Sequence, residues 1–149
     1  MRMAMMHKRM GKLALAAKAI PEDMQYALHG PADADLTVVA WGSTKGTILD
    51  ALRILDAEGK KVNFLQCRLM RPFPVKAVGD ILRKAKKVVS IEENYSGQLA
   101  THIAAETGFL ITDRINKYDG RPFSEDEMVK AISGALAGEK AEAVVTSVR

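Results

Sequence analysis

Glu92 and Glu93 close an apolar, β-branched run, Val88-Val89-Ser90-Ile91, and lead into the turn Asn94-Tyr95-Ser96-Gly97. Adjacent carboxylates invite an acid/base pair. Neighbours at a strand end point to opposite faces, however, so the pair reads as structural or interface carboxylates, with Arg71 or Arg121 as a partner. Cys67 could serve as a nucleophile with His102, but nothing in the sequence brings the two together or lowers the thiol pKa, and a packed or loop cysteine is expected. Gly42-Ser43-Thr44-Lys45-Gly46-Thr47 has the composition of a phosphate loop, a glycine turn feeding a helix N-terminus. The spacing fails: Lys45 precedes its glycine, and Ser43 and Thr44 follow Gly42 directly. A tight turn with Ser43 or Thr44 capping the helix is expected instead. His7, His29 and His102 lack metal-ligand spacing. No catalytic, cofactor-binding or metal-ligating residue is assigned on these grounds.

The elements that position these residues alternate. Met3, Met6, Met10, Leu13, Ala17 and Ile20 recur at three- and four-residue spacings and predict a helix with an apolar stripe, broken by Pro21. The connector Glu22 to Asp35 holds one short strand near Gln25 to Leu28. Strands are predicted at Leu36 to Trp41, Val62 to Gln66 and Val88 to Glu92, with a weaker one near Arg114 to Tyr118. The intervening helices present Ile48, Leu52 and Leu55; Val75, Val78, Leu82 and Ala85; and Leu99 and Ile103, the last closed by Gly108. Ser124 and Glu127 form an S-x-x-E capping box before Met128, Ile132 and Leu136, with Gly138 as the stop. Val144-Val145 adds an edge strand or frays. The domain organisation is thus a connector helix over 1–21, an α/β domain over 22–138 and a tail over 139–149.

Strands in βα order imply a parallel sheet between helical layers, with right-handed crossovers. The loops Gly42 to Gly46, Cys67 to Pro74, Glu92 to Gln98 and Asp119 to Phe123 then share one sheet edge, where α/β proteins place their function. That edge carries Arg68, Arg71, Arg121, Phe73, Phe123 and Tyr95, residue types enriched at protein interfaces. It is the expected contact surface.

The 149 residues, 48% hydrophobic and 27% charged, describe one soluble domain with a sizeable core. The single cysteine cannot form an internal disulfide or supply the thiolates of an iron–sulfur cluster, and it fits a reducing cytoplasm. No stretch has the length of a membrane span or a secretory signal. The net charge of +4 is concentrated in the first twenty residues, where Arg2, Lys8, Arg9, Lys12 and Lys18 stand without an acid. The apolar stripe there points to packing on the domain itself or on a partner subunit, ahead of nucleic acid or, given the lack of aromatic anchors, a membrane.

Four strings carry a family resemblance: ADLTVVAWGSTKGTILDAL (34–52), VNFLQCRLMRPFP (62–74), VVSIEENYSGQLA (88–100) and KYDGRPFSEDEM (117–128). In this order they resemble the C-terminal part of the alpha subunit of 2-oxoacid:ferredoxin oxidoreductases, the 2-oxoglutarate-type and related enzymes. HKRMGKL (7–13) resembles the connector leading into that domain. The resemblance implies a transketolase C-terminal-like α/β/α sandwich, its sheet mostly parallel with one antiparallel edge strand. It also implies a parent complex that oxidatively decarboxylates a 2-oxoacid to acyl-CoA, using thiamine diphosphate, magnesium, coenzyme A and iron–sulfur clusters, with ferredoxin as acceptor. In that family the beta subunit holds the cofactor's diphosphate end and the alpha subunit's N-terminal domain its pyrimidine end. This chain lacks the GDG-then-Asn pattern and a cluster-binding cysteine set, so it reads as a fragment or split subunit that does not catalyse alone. Its partners would be the other alpha-subunit domain and the beta subunit; a homo-oligomer is left open. Glu92, Asn94, Tyr95, Gly97, Gln98, Ser43, Thr44, Arg71 and Arg121 are the candidates for interface or active-site surroundings. The alternatives are a C-terminal-like domain of another thiamine diphosphate enzyme and a free-standing small-ligand module.

Overall fold

The computed structural model describes residues 1–139. Its centre is β2 (Leu36–Trp41), a fully apolar strand apart from Thr37 and buried along nearly its whole length, as a strand covered on both faces must be. It pairs in parallel with β3 (Val62–Cys67) on one side and β4 (Val88–Glu92) on the other. β5 (Asp113–Asn116) adds in parallel to β4, with Glu92 opposite Asn116. β1 (Tyr26–His29) closes the other edge antiparallel to β3. The order β1-β3-β2-β4-β5 bears out the mostly parallel sheet with one antiparallel edge strand.

Alternation along the strands divides the core in two. On one face α3 (Lys45–Ala57) and α6 (Glu125–Ala137) bury Ile48, Ala51, Leu55, Met128 and Ile132 against Val38, Phe64, Val89 and Ile91. On the other α4 (Val75–Lys84) and α5 (Gln98–Thr107) bury Val78, Leu82, Leu99 and Ile103 against Val39, Leu65 and Cys67. Val75, expected on the inner face of α4, is exposed because it opens the helix at the rim of the sheet.

Edges moved by a residue or two. Glu22–Gln25 forms a single helical turn, α2, whose Gln25 carbonyl accepts from the Arg68 and Leu69 amides at 3.0 Å each, so β1 starts at Tyr26. At the other edge β5 ends at Asn116, two residues short of the expected Tyr118, although the Lys117 amide still donates to the Glu92 carbonyl at 3.0 Å.

α1 (Arg2–Ala19) is built from strong helix formers, Ala, Met, Leu, Lys and Arg. None of its residues is buried. Leu13, Ala16 and Ile20 are half-buried, whereas Met3, Met6, Met10 and Ala17 are exposed, so the described residues of the domain leave most of the predicted stripe uncovered. Among the described residues no helix is long and apolar enough to cross a membrane. The Val144-Val145 segment lies outside the described residues.

The capping box forms as read: Ser124 Oγ accepts from the Glu127 amide at 3.2 Å, and Glu127 Oε2 accepts from the Ser124 amide at 2.9 Å. The same Glu127 oxygen receives Lys117 Nζ at 2.5 Å, and the Lys117 side chain is only 2% exposed. Lys117 also donates to the Pro122 carbonyl at 3.1 Å and lies over the Phe123 ring. A buried ammonium is tolerable only with such partners.

The Lys117 hydrogen bond, followed by the Ser124 amide, holds the Glu127 carboxyl below its ordinary value of 4.5. A carboxyl depressed in the folded state contributes stability above that ordinary value and loses it as pH falls through the folded one. Glu127→Gln is therefore expected to cost about 1–2 kcal/mol at neutral pH. The difference from wild type should shrink in urea titrations repeated at successively lower pH below about 4. A constant difference across that range would contradict the assignment.

Candidate functional site at the carboxyl edge of the sheet

β2 and β4 are neighbours, yet their crossovers leave to opposite faces, β2 into α3 and β4 into α5. In open α/β sheets such a switch point opens the crevice in which ligands bind. Here two adjacent glutamates fill it.

Glu92 ends β4 with its side chain on the α5 face, 1% exposed. Its Oε2 accepts from the Leu99 amide and from Asn94 Nδ2, both at 2.8 Å, and its Oε1 accepts from the Ala100 amide at 3.1 Å. Asn94 Oδ1 takes the next donors, the amides of Gly97 at 2.8 Å and Gln98 at 3.2 Å. The first amides of α5, where an anionic ligand would bind, are thus occupied by the chain's own side chains. Gly97 makes this possible: its φ is +64°, and a Cβ there would lie 3.3 Å from Arg114 Cδ.

Glu93 points the other way, as adjacent strand-end residues must. Its Oε2 accepts from Ser43 Oγ at 2.9 Å and its Oε1 from the Phe123 amide at 3.0 Å. One carboxylate therefore ties the turn after β2 and the loop after β5 to the loop after β4. Ser43 serves this tie and Thr44 Oγ1 donates back to the Trp41 carbonyl at 3.0 Å, so neither caps α3. The Gly42–Thr44 turn is already a 3-10 turn, which aims the Thr44 hydroxyl backward rather than toward α3's amides.

The remainder of the loop is displayed. Tyr95 is 75% exposed, with its ring edge-to-face on Tyr118 at 4.9 Å between centroids. Its carbonyl accepts from Asn116 Nδ2 at 3.2 Å. Tyr118, Glu93, Lys117, Gly120, Arg121 and Pro122 line an open cleft beside it. Gln98 is exposed at the start of α5.

Other expectations are corrected. Neither arginine partners Glu92: Arg71 pairs with Glu106 at 2.8 Å near the far end of α5, and Arg121 with Asp119 at 2.8 Å. The loop after β3 drapes along α5, where His102 bonds the Met70 carbonyl, and so carries Arg71 away from the Glu92–Gln98 loop. Phe73 and Phe123, counted toward the contact surface, are buried in the two opposite cores. Cys67 is buried at the end of β3, and burial, with the Glu92 charge second, pushes its thiol up to about 12, the reverse of an activated nucleophile.

Tyr118 was not among the site candidates. Glu93 was read only as half of the carboxylate pair, and no local pattern names what it meets, because its partners lie 50 and 30 residues away. Asn94 did carry a signal: an Asn three residues before a glycine at a strand-to-helix turn is a local amide acceptor.

Comparison with known proteins agrees with this architecture. The family described as pyruvate:ferredoxin oxidoreductase core domain II matches residues 34–128. The alpha subunit of 2-oxoacid:ferredoxin oxidoreductase 2 from Aeropyrum pernix is 37% identical over 146 residues, covering 98% of this chain and 23% of that protein. A solved 2-oxoglutarate:ferredoxin oxidoreductase from Magnetococcus marinus, with 2-oxoglutarate, coenzyme A and succinyl-CoA bound, aligns with a TM-score of 0.78 and 29% identity over 91% of this chain and 23% of that one. A split-gene transketolase, an inactive β4 tetramer, shares the fold alone, with a TM-score of 0.60 and 21% identity over 82% of this chain and 44% of that one. The chain spans less than a quarter of the length of curated 2-oxoacid:ferredoxin oxidoreductase alpha subunits that it matches. With the matched residues running from just before β2 into α6, this chain belongs to the pyruvate:ferredoxin oxidoreductase core domain II family.

Proposed function

We propose that this chain is the C-terminal, transketolase-like domain of the alpha subunit of a 2-oxoacid:ferredoxin oxidoreductase of the 2-oxoglutarate or a related type. Its role is to assemble the complex and shape the surroundings of the active site, without supplying a catalytic or cofactor-binding residue. One observation carries this reading: the crevice where such a fold binds ligands is closed by Glu92 on α5 and by Glu93 on Ser43 and Phe123.

The chain's residues do not fit the groups that the parent reaction uses. A diphosphate would need the α5 amides that Glu92 and Asn94 occupy. Magnesium would need a cluster of oxygen ligands, and among the described residues no group of three His, Cys, Asp or Glu side chains comes together. An iron–sulfur cluster would need thiolates, and the lone Cys67 is buried. Thiamine diphosphate, magnesium and the clusters therefore belong to the other alpha-subunit domain and to the beta subunit, in a cytoplasmic complex that passes electrons to ferredoxin. This domain offers that complex the loop from Glu92 to Gln98, with Tyr95 as its exposed anchor and Arg121 and Ser43 beside it. Tyr and Arg are the residue types that dominate binding energy at interfaces.

Three outcomes follow. Calorimetry on the chain alone should register no saturable binding of thiamine diphosphate with magnesium, or of coenzyme A; tight binding of either would overturn the reading. Glu92→Ala strands two buried backbone donors and the half-buried Asn94 amide and should cost about 3–5 kcal/mol in urea unfolding, with Glu92→Gln, which keeps an acceptor, at about 1–2 kcal/mol. Equal losses for the two would mean that the carboxylate does not hold α5. Tyr95→Ala forfeits only the contact with Tyr118, about 0.5–1.5 kcal/mol of domain stability. It should weaken co-purification with the remaining subunits far more than it lowers the domain's melting temperature. Normal assembly of that variant would remove the loop from the interface.

A further inference from the structure

α1 projects from the domain as an 18-residue helix with no buried residue. Met3, Met6 and Met10 are 75%, 49% and 52% exposed, although their spacing aligns them in one stripe. Only the C-terminal part of the helix approaches the domain, where Ala17, Lys18 and Ile20 line a groove shared with Phe73, Pro74 and Ala77. By helical geometry Arg2 and Arg9 flank the methionine stripe on one side and Lys18 on the other, while Lys12 lies on the back. The helix holds no acid, and none of its five cations forms an ion pair among the described residues.

This pattern selects an occupant. A second copy of the helix would set five cations against five, which like-charge repulsion opposes. A lipid surface calls for aromatic anchors, and α1 has none. Nucleic acid would use the cations and leave the methionines in water. A protein groove with an apolar floor and acidic rims uses both, the floor taking the adaptable Met side chains and the rims taking Arg2, Arg9 and Lys18. We propose that α1 is a docking helix for such an acidic-rimmed apolar groove on the remainder of the oxidoreductase. The Aeropyrum relative aligns over 98% of this chain, α1 included, within a subunit that extends far beyond it. The partner's identity rests on the proposed function; the groove's chemistry rests on α1 alone.

The test is co-expression of the chain with the remaining oxidoreductase subunits of its own genome. Assembly is measured by sedimentation, and exposure of residues 2–19 by amide hydrogen exchange. Fast exchange in the chain alone should give way to protection in the complex. Arg2→Glu with Arg9→Glu, or Met3→Ser, Met6→Ser and Met10→Ser together, should weaken assembly by about tenfold or more, while Lys12→Glu on the back face changes it less than about twofold. These variants keep the domain folded, because α1 contributes no buried residue to it. Wild-type assembly that neither set weakens, or α1 amides unprotected in the complex, would overturn the docking role while leaving the proposed function intact. Failure of the wild-type chain to assemble at all would overturn both. Dimerisation of the chain alone through α1, or methionine-dependent binding to phosphatidylglycerol vesicles, would replace the groove with a different occupant.

Discussion

A carboxylate buried at the end of a strand is unstable unless its oxygens find donors, and the arrangement of this domain's functional edge follows from how Glu92 finds them. With 1% of its surface exposed, Glu92 takes two amides of α5 and the Asn94 side-chain amide. The contact satisfies the helix as well, since the first amides of a helix lack intrahelical acceptors and carry the positive end of its dipole. It sets the angle at which α5 leaves β4. It also obliges the chain to turn sharply between them, which the left-handed Gly97 permits.

The neighbouring glutamate extends the constraint sideways. Because strand-end side chains alternate, Glu93 lies on the α3/α6 side, where it ties the turn after β2 to the loop after β5. The three loops around the switch point behave as one surface, and the space that a ligand would enter is filled with hydrogen bonds. What remains available is the outside of that surface: Tyr95 braced on Tyr118, the open cleft beside Arg121, and the exposed Gln98. Such a surface is suited to a partner that presses against it. The edge and α1 differ in kind, one a rigid aromatic and polar rim, the other an adaptable methionine stripe flanked by cations.

Much of this fold was legible along the chain. β2 and β4 fall where their apolar runs predict, the capping box at Ser124 forms as its spacing requires, and the connector's short strand lies one residue from its expected place, although its antiparallel pairing at the edge was implied only by the family resemblance. These features depend on residues within about one element of each other, so periodicity and turn chemistry report them directly. The opposed directions of Glu92 and Glu93 were legible for the same reason. So was the closeness of Asn94 to Gly97.

The sequence by itself determined which segments fold, which faces they bury, and that two carboxylates diverge at the end of β4. Only the tertiary structure decided what those carboxylates meet. Glu92 meets amides rather than Arg71 because the loop after β3 carries Arg71 to Glu106. Ser43 is drawn to Glu93, 50 residues away, rather than capping its own helix. Phe73 and Phe123 turn into opposite cores, and among the described residues the methionine stripe of α1 stays uncovered. Each outcome depends on the positions of segments far apart in sequence. Local spacing fixes the direction in which a side chain leaves its own element; packing fixes what stands in its way.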